Sequence, residues 1–285
     1  MSSRPSKTYS KSRQNRESGI ALISVLWVLL LLSGLAGAVA FMARTNAVLT
    51  HKLGEFAQAE AATDAALVNA IAMLSDEKSS RHPPIDGHPQ TFEFQGLPVT
   101  VSISNESGRI DINTADDDLI LAFLYSQGVG EDRATLLLSD LRKYQHVVNG
   151  PAPPGTLRTV EELKKIPSWA AQGLDCWRDS ITVYTGLPGV DAGDATDQVQ
   201  AALRWVQEHR IGNRDRTAGE VVAPRVRSDQ SILGEVIRFV AIASPTSGIT
   251  AISEWIGRLT GDAHQPTLTM RWSRIANAPN SSCKK

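Results

Sequence analysis

Asp191, Asp194 and Asp197 recur at three-residue steps in a loop that also holds Gly189 and Gly193. Calcium takes oxygen ligands, and carboxylates on a loop supply them. The run lacks the full spacing of a calcium loop, and solvated loop acids give the same pattern. A second acidic run, Asp116, Asp117 and Asp118, stands where a helix would begin, the end at which the helix dipole favours negative charge. The six histidines, at positions 51, 82, 88, 146, 209 and 264, include no pair at metal-ligand helical spacing. His82 and His88 share a proline-rich stretch. There is no Gly-x-Ser-x-Gly elbow and no phosphate-binding glycine loop. The two cysteines, Cys176 and Cys283, fit neither a zinc cluster nor a disulfide-dense scaffold and could form at most one bridge. No catalytic set emerges, so the sequence reads as that of a non-enzyme.

One motif invites a nucleic-acid reading. Gly128-Val129-Gly130 separates two helical patterns, and a glycine turn between helices can hold a DNA phosphate on its backbone N–H groups. Glu131 and Asp132 follow directly and would repel phosphate, and Arg133 stands alone as the nearest cation. Counterion-driven binding needs several cations. The chain's net charge of −1 does not supply them, because a basic leader conceals a mildly acidic body. A glycine turn that packs two helices accounts for the motif without DNA.

These residues need elements to position them. Phe92/Phe94 and Val99/Val101/Ile103 alternate with polar residues around Gly96, which predicts a hairpin, with Pro98 weakening the start of its second strand. Helical periodicity follows, with Asn113 or Thr114 as the cap, then the Gly128–Gly130 turn, then a helix opening on Ala134, Leu137, Leu138 and Leu141. "RTVEELKKIP" reads as a further helix capped at Thr159, and "DSITVYTG" returns to alternation. "ATDQVQAALRWVQEH" predicts a helix with Val199, Leu203 and Val206 on one face. The arginine-bearing run after it, "RIGNRDRTAGEVVAPRVRS", reads as a polar loop. Strands are expected over 236–243, 249–259 and 267–272, completing the sheet begun by the hairpin. The fold class expected is α+β.

The N-terminus sets the rest. Arg4, Lys7, Lys11, Arg13 and Arg16 precede residues 20–43, which carry no charge. As a helix that run is about 36 Å long at about 1.5 Å per residue, enough to cross a hydrocarbon core of about 30 Å. The basic leader should stay cytoplasmic and the body should lie on the far side. Three readings compete. Ala38-Val39-Ala40 suits a secretory signal cut after Ala40. A plain anchor is a second. The third is a leader cut between Gly19 and Ile20, which keeps the apolar helix on the mature protein. Gly19 supplies the extended peptide a protease needs. The helical pattern also continues through Leu49, Leu53, Phe56, Thr63, Leu67, Ile71 and Leu74, with no proline before Pro83.

"SGIALISVLWVLLLLSGLAGAVAF" followed by "EFAQAEAATDAALVNAIAML" resembles the N-terminus of the type II secretion minor pseudopilin K family. "GRIDINTAD", "RTVEELKKIP" and "ITVYTGLPGVD" resemble its recurring phrases. The resemblance implies a pilin-like fold: a leader over 1–19, a spine helix over 20–76, a sheet from 77–110 and 231–275, a helical domain inserted over 111–230 and a tail over 276–285. It implies cleavage by a prepilin peptidase before Ile20, with methylation of the new terminus. Most pilins carry a glutamate at the fifth mature position; here Ser24 stands there, as expected for the K family. A carboxylate inside a membrane costs about 3 kcal/mol on insertion scales and needs a partner. A subunit with nothing above it needs no such pairing, which suits the tip of a filament; Ser24 would suit a simple membrane anchor equally, so the tip reading draws on the rest of the chain. The implied role is to help start a pseudopilus in the inner membrane for protein export, with the body periplasmic. The implied partners are minor pseudopilins I and J, with H as a further candidate, and major pseudopilin G. Ser24, Leu49, Leu53 and Phe56 are the candidate helix-packing residues. Calcium binding in some family members makes Asp191, Asp194 and Asp197 the candidate metal ligands, and no nucleic acid is expected. The competing reading is a membrane-anchored DNA-binding protein of competence type, centred on Gly128 and Gly130.

Overall fold

A computed structural model of the chain describes residues 14–76, 82–147, 156–209, 232–245, 248, 250–262 and 264–275. The chain divides into two compact units, Met1–Glu55 and Phe56–Lys285. Helix α1, Gln14–Ser75, is one continuous element. Its first residues lie within the expected leader, so the helix starts earlier than the pattern predicts. No proline interrupts it, and hydroxyls that could compete with the ladder instead bond back to the preceding turn, as Thr45 does to the Phe41 carbonyl and Ser75 to that of Ile71.

Within the second unit, α1 lays Ala59, Ala62, Ala66, Leu67, Ala70 and Leu74 on a sheet. The sheet has five strands in the order β1-β2-β5-β6-β7: β1 Gln90–Phe94, β2 Leu97–Asn105, β5 Val236–Ala243, β6 Ala251–Leu259 and β7 Thr267–Ile275. Every pairing is antiparallel. The expected hairpin is present, and its two-residue turn has positive φ at both Gln95 and Gly96, the geometry that matches strand twist. Pro98 is accommodated because it is the second residue of β2, ahead of the pairing with β5 that begins at Val99. Strand β6 starts at Ala251, while residue 249 lies outside the described set. Strand β7 runs past Trp272 to Ile275, because its pairing with β6 continues to Ile252.

One face of the sheet is apolar. Val99, Val101 and Ile103, Ile237, Phe239 and Ala241, and Trp255 and Leu259 form a core with the alanine-rich face of α1. Phe239 and Trp255 meet edge-on at 5.3 Å, a favoured aromatic geometry. The buried Thr63 of α1 bonds the Ser253 hydroxyl of β6 at 2.9 Å, so the polar group in this core has a partner.

Between β2 and β5 the chain builds a second hydrophobic core. Its elements are β3 Ile110–Asp111, α2 Asp117–Ser126, α3 Glu131–Val147, α4 Pro167–Ala170, α5 Leu174–Trp177, β4 Ile181–Thr182 and α6 Asp197–His209. Leu119, Ile120 and Phe123 meet Leu137, Leu141, Trp169, Trp177, Val199 and Leu203. The Trp169 indole donates to the Leu137 carbonyl at 2.8 Å. The alternation in "DSITVYTG" yields only the two residues of β4, paired in parallel with β3. Asp111 then ties this small sheet to the next loop by accepting from the Gly186 N–H at 2.7 Å and the Thr185 hydroxyl at 3.1 Å.

Two caps differ from expectation. The cap of α2 is Asp116, with no side-chain bond. Asn113 is occupied elsewhere, bridging to both the N–H and the carbonyl of Leu157, and Thr114 donates to the Leu187 carbonyl. The "RTVEELKKIP" segment forms a 3-10 helix, Val160–Lys165, in place of an α-helix, and Thr159 makes no capping bond. A long-range bond drew the capping residue away in the first case, and tight turns replaced regular helix in the second.

Gly257 sits at a register shift in the β6–β7 ladder. A Cβ there would lie 2.4 Å from the Trp255 ring and 2.7 Å from the Leu268 carbonyl. Gly257→Ala is predicted to cost about 1–3 kcal/mol through overpacking. Urea unfolding of the full chain in detergent would show it as a lower midpoint at unchanged slope.

Candidate functional site: an apolar helix and a charged junction

The helix surface comes first. Residues 21–54 are all exposed, and among the described residues this is the helix whose length and composition suit a membrane crossing. Leu22, Leu26, Trp27, Leu31, Leu35 and Phe41 present bare apolar side chains. Gly19 and Ile20 lie within the helical backbone of α1. The Ser24 hydroxyl donates to its own Ala21 carbonyl at 3.1 Å. Leu49 and Leu53 are more than half exposed, and Phe56 is 38% exposed. The α1 residues in the core with the sheet run from Ala59 to Leu74.

The glycine turn is present. Gly128 has φ of +81°. Its N–H bonds the Tyr125 carbonyl, and the Val129 N–H bonds that of Leu124. The Arg133 guanidinium donates to the Ser168 carbonyl at 2.8 Å. Two of the turn's N–H groups and its nearest cation are thus hydrogen-bonded within the protein. Gly130 begins no cradle of its own; its carbonyl accepts from the Ala134 N–H in the first turn of α3.

The acidic loop is likewise tied into the fold. The Asp191 N–H bonds the Ser107 carbonyl, and the Asp191 carboxylate accepts from Gly193 N–H at 2.9 Å. Asp194 lies 3.4 Å from the Ser107 hydroxyl. Asp197 is in the first turn of α6. Among the described residues, no three His, Cys, Asp or Glu side chains are grouped to hold a metal ion. Close approach explains Gly108: a Cβ there would stand 2.0 Å from the Asp194 carbonyl oxygen. Cys176 is disulfide-bonded, and Cys283 lies outside the described residues.

The feature that sequence reasoning missed is on the other face of the sheet. Strand alternation that turns Phe239 and Trp255 toward α1 turns Arg238 and Glu254 the opposite way. Both are almost fully buried. Arg238 Nε donates to Glu254 Oε1 at 2.7 Å, its second guanidinium nitrogen bonds the same oxygen, and its third reaches Asp179 at 3.3 Å. Arg271 of β7 grips Glu161 of the 3-10 helix through two bonds, at 2.7 and 2.9 Å. Arg178 stands 3.4 Å from Glu161 and 3.6 Å from Glu254. Arg109 pairs with Glu106 at 2.9 Å. Arg238, Glu254 and Arg271 come from the sheet. Glu161, Arg178 and Asp179 come from the inserted region. A legible signal existed, since Arg238 and Glu254 are lone charges inside "VIRFVAIA" and "AISEWIG".

The electrostatics follow from this geometry. Burial alone would raise the Glu254 carboxyl, but Arg238 and Arg178 outweigh it and hold the group below the usual range. Burial likewise opposes ionised Glu161, and the Arg271 bonds overcome it, bringing the carboxyl down to about 2. Arg238 is stabilised as a cation by Glu106 and Glu254 against its own burial. Breaking a buried pair by removing one partner strands the other charge, at about 3–5 kcal/mol, whereas an exposed pair contributes about 0–1. Glu254→Ala is therefore predicted to destabilise the chain by about 3–5 kcal/mol. Arg274→Ala, which removes the exposed contacts to Glu60 and Asp64, should cost less than about 1 kcal/mol. Parallel urea titrations would check the contrast.

No family model matches the sequence, and no curated protein matches it. The fold is similar to that of a chain in the crystal structure of the GspK-GspI-GspJ complex from the enterotoxigenic Escherichia coli type 2 secretion system. The TM-score is 0.55 at 11% identity, over 80% of this chain and 99% of that one. The long N-terminal helix, the five-stranded antiparallel sheet and the helical insert make this an α+β, pilin-like fold.

Proposed function

We propose that this chain is a minor pseudopilin of a type II protein secretion system, of the K kind, that sits at the pseudopilus tip and helps to start its assembly. The observation that carries the reading is the combination of an exposed apolar helix with a separately cored helical region inserted in a pilin-like sheet. After prepilin peptidase cuts between Gly19 and Ile20, the apolar segment stays in the inner membrane as the mature N-terminal helix. It then packs sideways against the equivalent helices of minor pseudopilins I and J, with H as a further neighbour and the major pseudopilin G below. Ser24 supports the tip position. Its hydroxyl is satisfied by the Ala21 carbonyl within the same helix, so it asks nothing of a subunit above. A glutamate there would need a partner in the membrane. The inserted region adds bulk where a further subunit would otherwise dock, and the role is structural, with no catalytic step.

The mature N-terminus tests this reading. Sequencing the purified protein should find Ile20 first, N-methylated. A start at Phe41 would mean an ordinary secretory signal, and a start at Met1 an uncleaved anchor; either outcome ends the pseudopilin proposal. Lateral packing has its own test. Leu49→Lys with Leu53→Lys places charge on exposed helix positions that the body's core does not use. Co-purification with minor pseudopilins I and J should fall by at least about tenfold, the equivalent of about 1.4 kcal/mol, while the thermal unfolding of the body stays as in the native chain.

A further inference from the structure

We infer that the inserted region is a separately cored module latched to the sheet by the arginine–carboxylate junction, and that acid opens the latch. The two hydrophobic clusters share no residue: one lies between α1 and the sheet, the other inside the insert. Charge occupies the ground between them. Arg238, Glu254 and Arg271 stand on three neighbouring strands. They meet Glu161, Arg178 and Asp179 of the insert, with Glu106 and Arg109 at the point where the chain leaves β2. Four guanidiniums thus face four carboxylates.

The balance is asymmetric toward protons. A carboxylate can be neutralised by acid, whereas a guanidinium stays charged at every accessible pH. As Glu161 and Glu254 gain protons, Arg238, Arg178 and Arg271 are left close together and cannot shed charge. Their mutual repulsion then has one outlet, which is separation of insert from sheet with entry of water. The groups around each titrating carboxylate are all part of the junction. Glu161 faces Arg271 and Arg178, with Tyr184 nearby. Glu254 faces Arg238, Arg178 and Arg271, and accepts from the Ser273 hydroxyl. Arg109 faces Glu106 and is repelled by Arg238. The sign is that of lowered carboxylates. Glu161 and Glu254 hold the latch above their ordinary value of 4.5, and that hold is lost as pH falls from there toward about 2, the folded-state value of Glu161. Asp111 titrates in the opposite sense, because burial raises it despite bonds from Gly186 and Asn113, so it does not drive the opening. Each core keeps its own apolar packing, so both outlast the junction.

The test uses the full chain in detergent micelles, with spin labels on non-natural side chains at two exposed positions, Glu93 of β1 and Lys143 of α3. At neutral pH the label-to-label distance should be single and narrow. Below pH 4.5 it should broaden and lengthen while the far-UV circular dichroism is retained. Glu161→Gln removes one carboxylate permanently at a half-exposed position and should move the broadening to higher pH. Two results overturn the proposal: a distance that stays narrow until the circular dichroism signal itself is lost, or a Glu161→Gln chain whose broadening occurs at the native pH.

Discussion

Strand alternation on β5 and β6 is the constraint on which the rest of the molecule depends. Successive side chains must point to opposite faces, so Phe239 and Trp255 cannot face α1 without Arg238 and Glu254 facing away. One face becomes dry and receives a helix; the other becomes charged and receives the insert. Slipping β5 by one residue would drive Arg238 into the core under α1 and bare Phe239 to the junction, and slipping β6 would do the same with Glu254 and Trp255. The buried pair therefore specifies register as well as contact. An ion pair in that position adds little net stability over an apolar one, while removing either partner strands the other charge.

Much of this architecture was legible from the residues. Two-residue alternation around Gly96 located the hairpin, three- and four-residue steps located α1 and α6, and Val236–Ala243 was bounded at both ends. The failures share a cause. Asn113 has the chemistry of a helix cap but spends it on Leu157, far along the chain. Glu254 stands out as a lone charge in its strand, but the arginines that answer it come from β5 and from the insert. Leu49 and Leu53 continue the apolar periodicity of Leu67 and Leu74, yet the first pair is exposed and the second is buried. Periodicity states that a face is apolar without stating what covers it. Local pattern thus identifies elements, while side chains that answer to distant residues become readable once the fold is known.

The proposed role sits comfortably with this division of labour. A filament subunit must offer one surface to its neighbours and keep the remainder from joining them. Here the alanines of α1 serve the subunit's own sheet, whereas larger apolar residues earlier in the same helix remain uncommitted. Their bulk and exposure suit packing against other apolar helices. The glycine turn at Gly128 and Gly130 has an internal task, joining α2 to α3.

The placement of the insert between β2 and β5 has a further consequence. These strands are neighbours in the sheet, yet the whole second core separates them along the chain. Closing a flexible loop becomes harder only with the logarithm of its length, by about 0.6 kcal/mol for each doubling. The short parallel pairing of Ile110 with Ile181 pinches the excursion and cuts even that. A sheet closed in this way is nearly indifferent to how much chain it carries in the gap. The same scaffold can carry a longer or shorter excursion at that point, provided the residues that meet Arg238, Glu254 and Arg271 are kept.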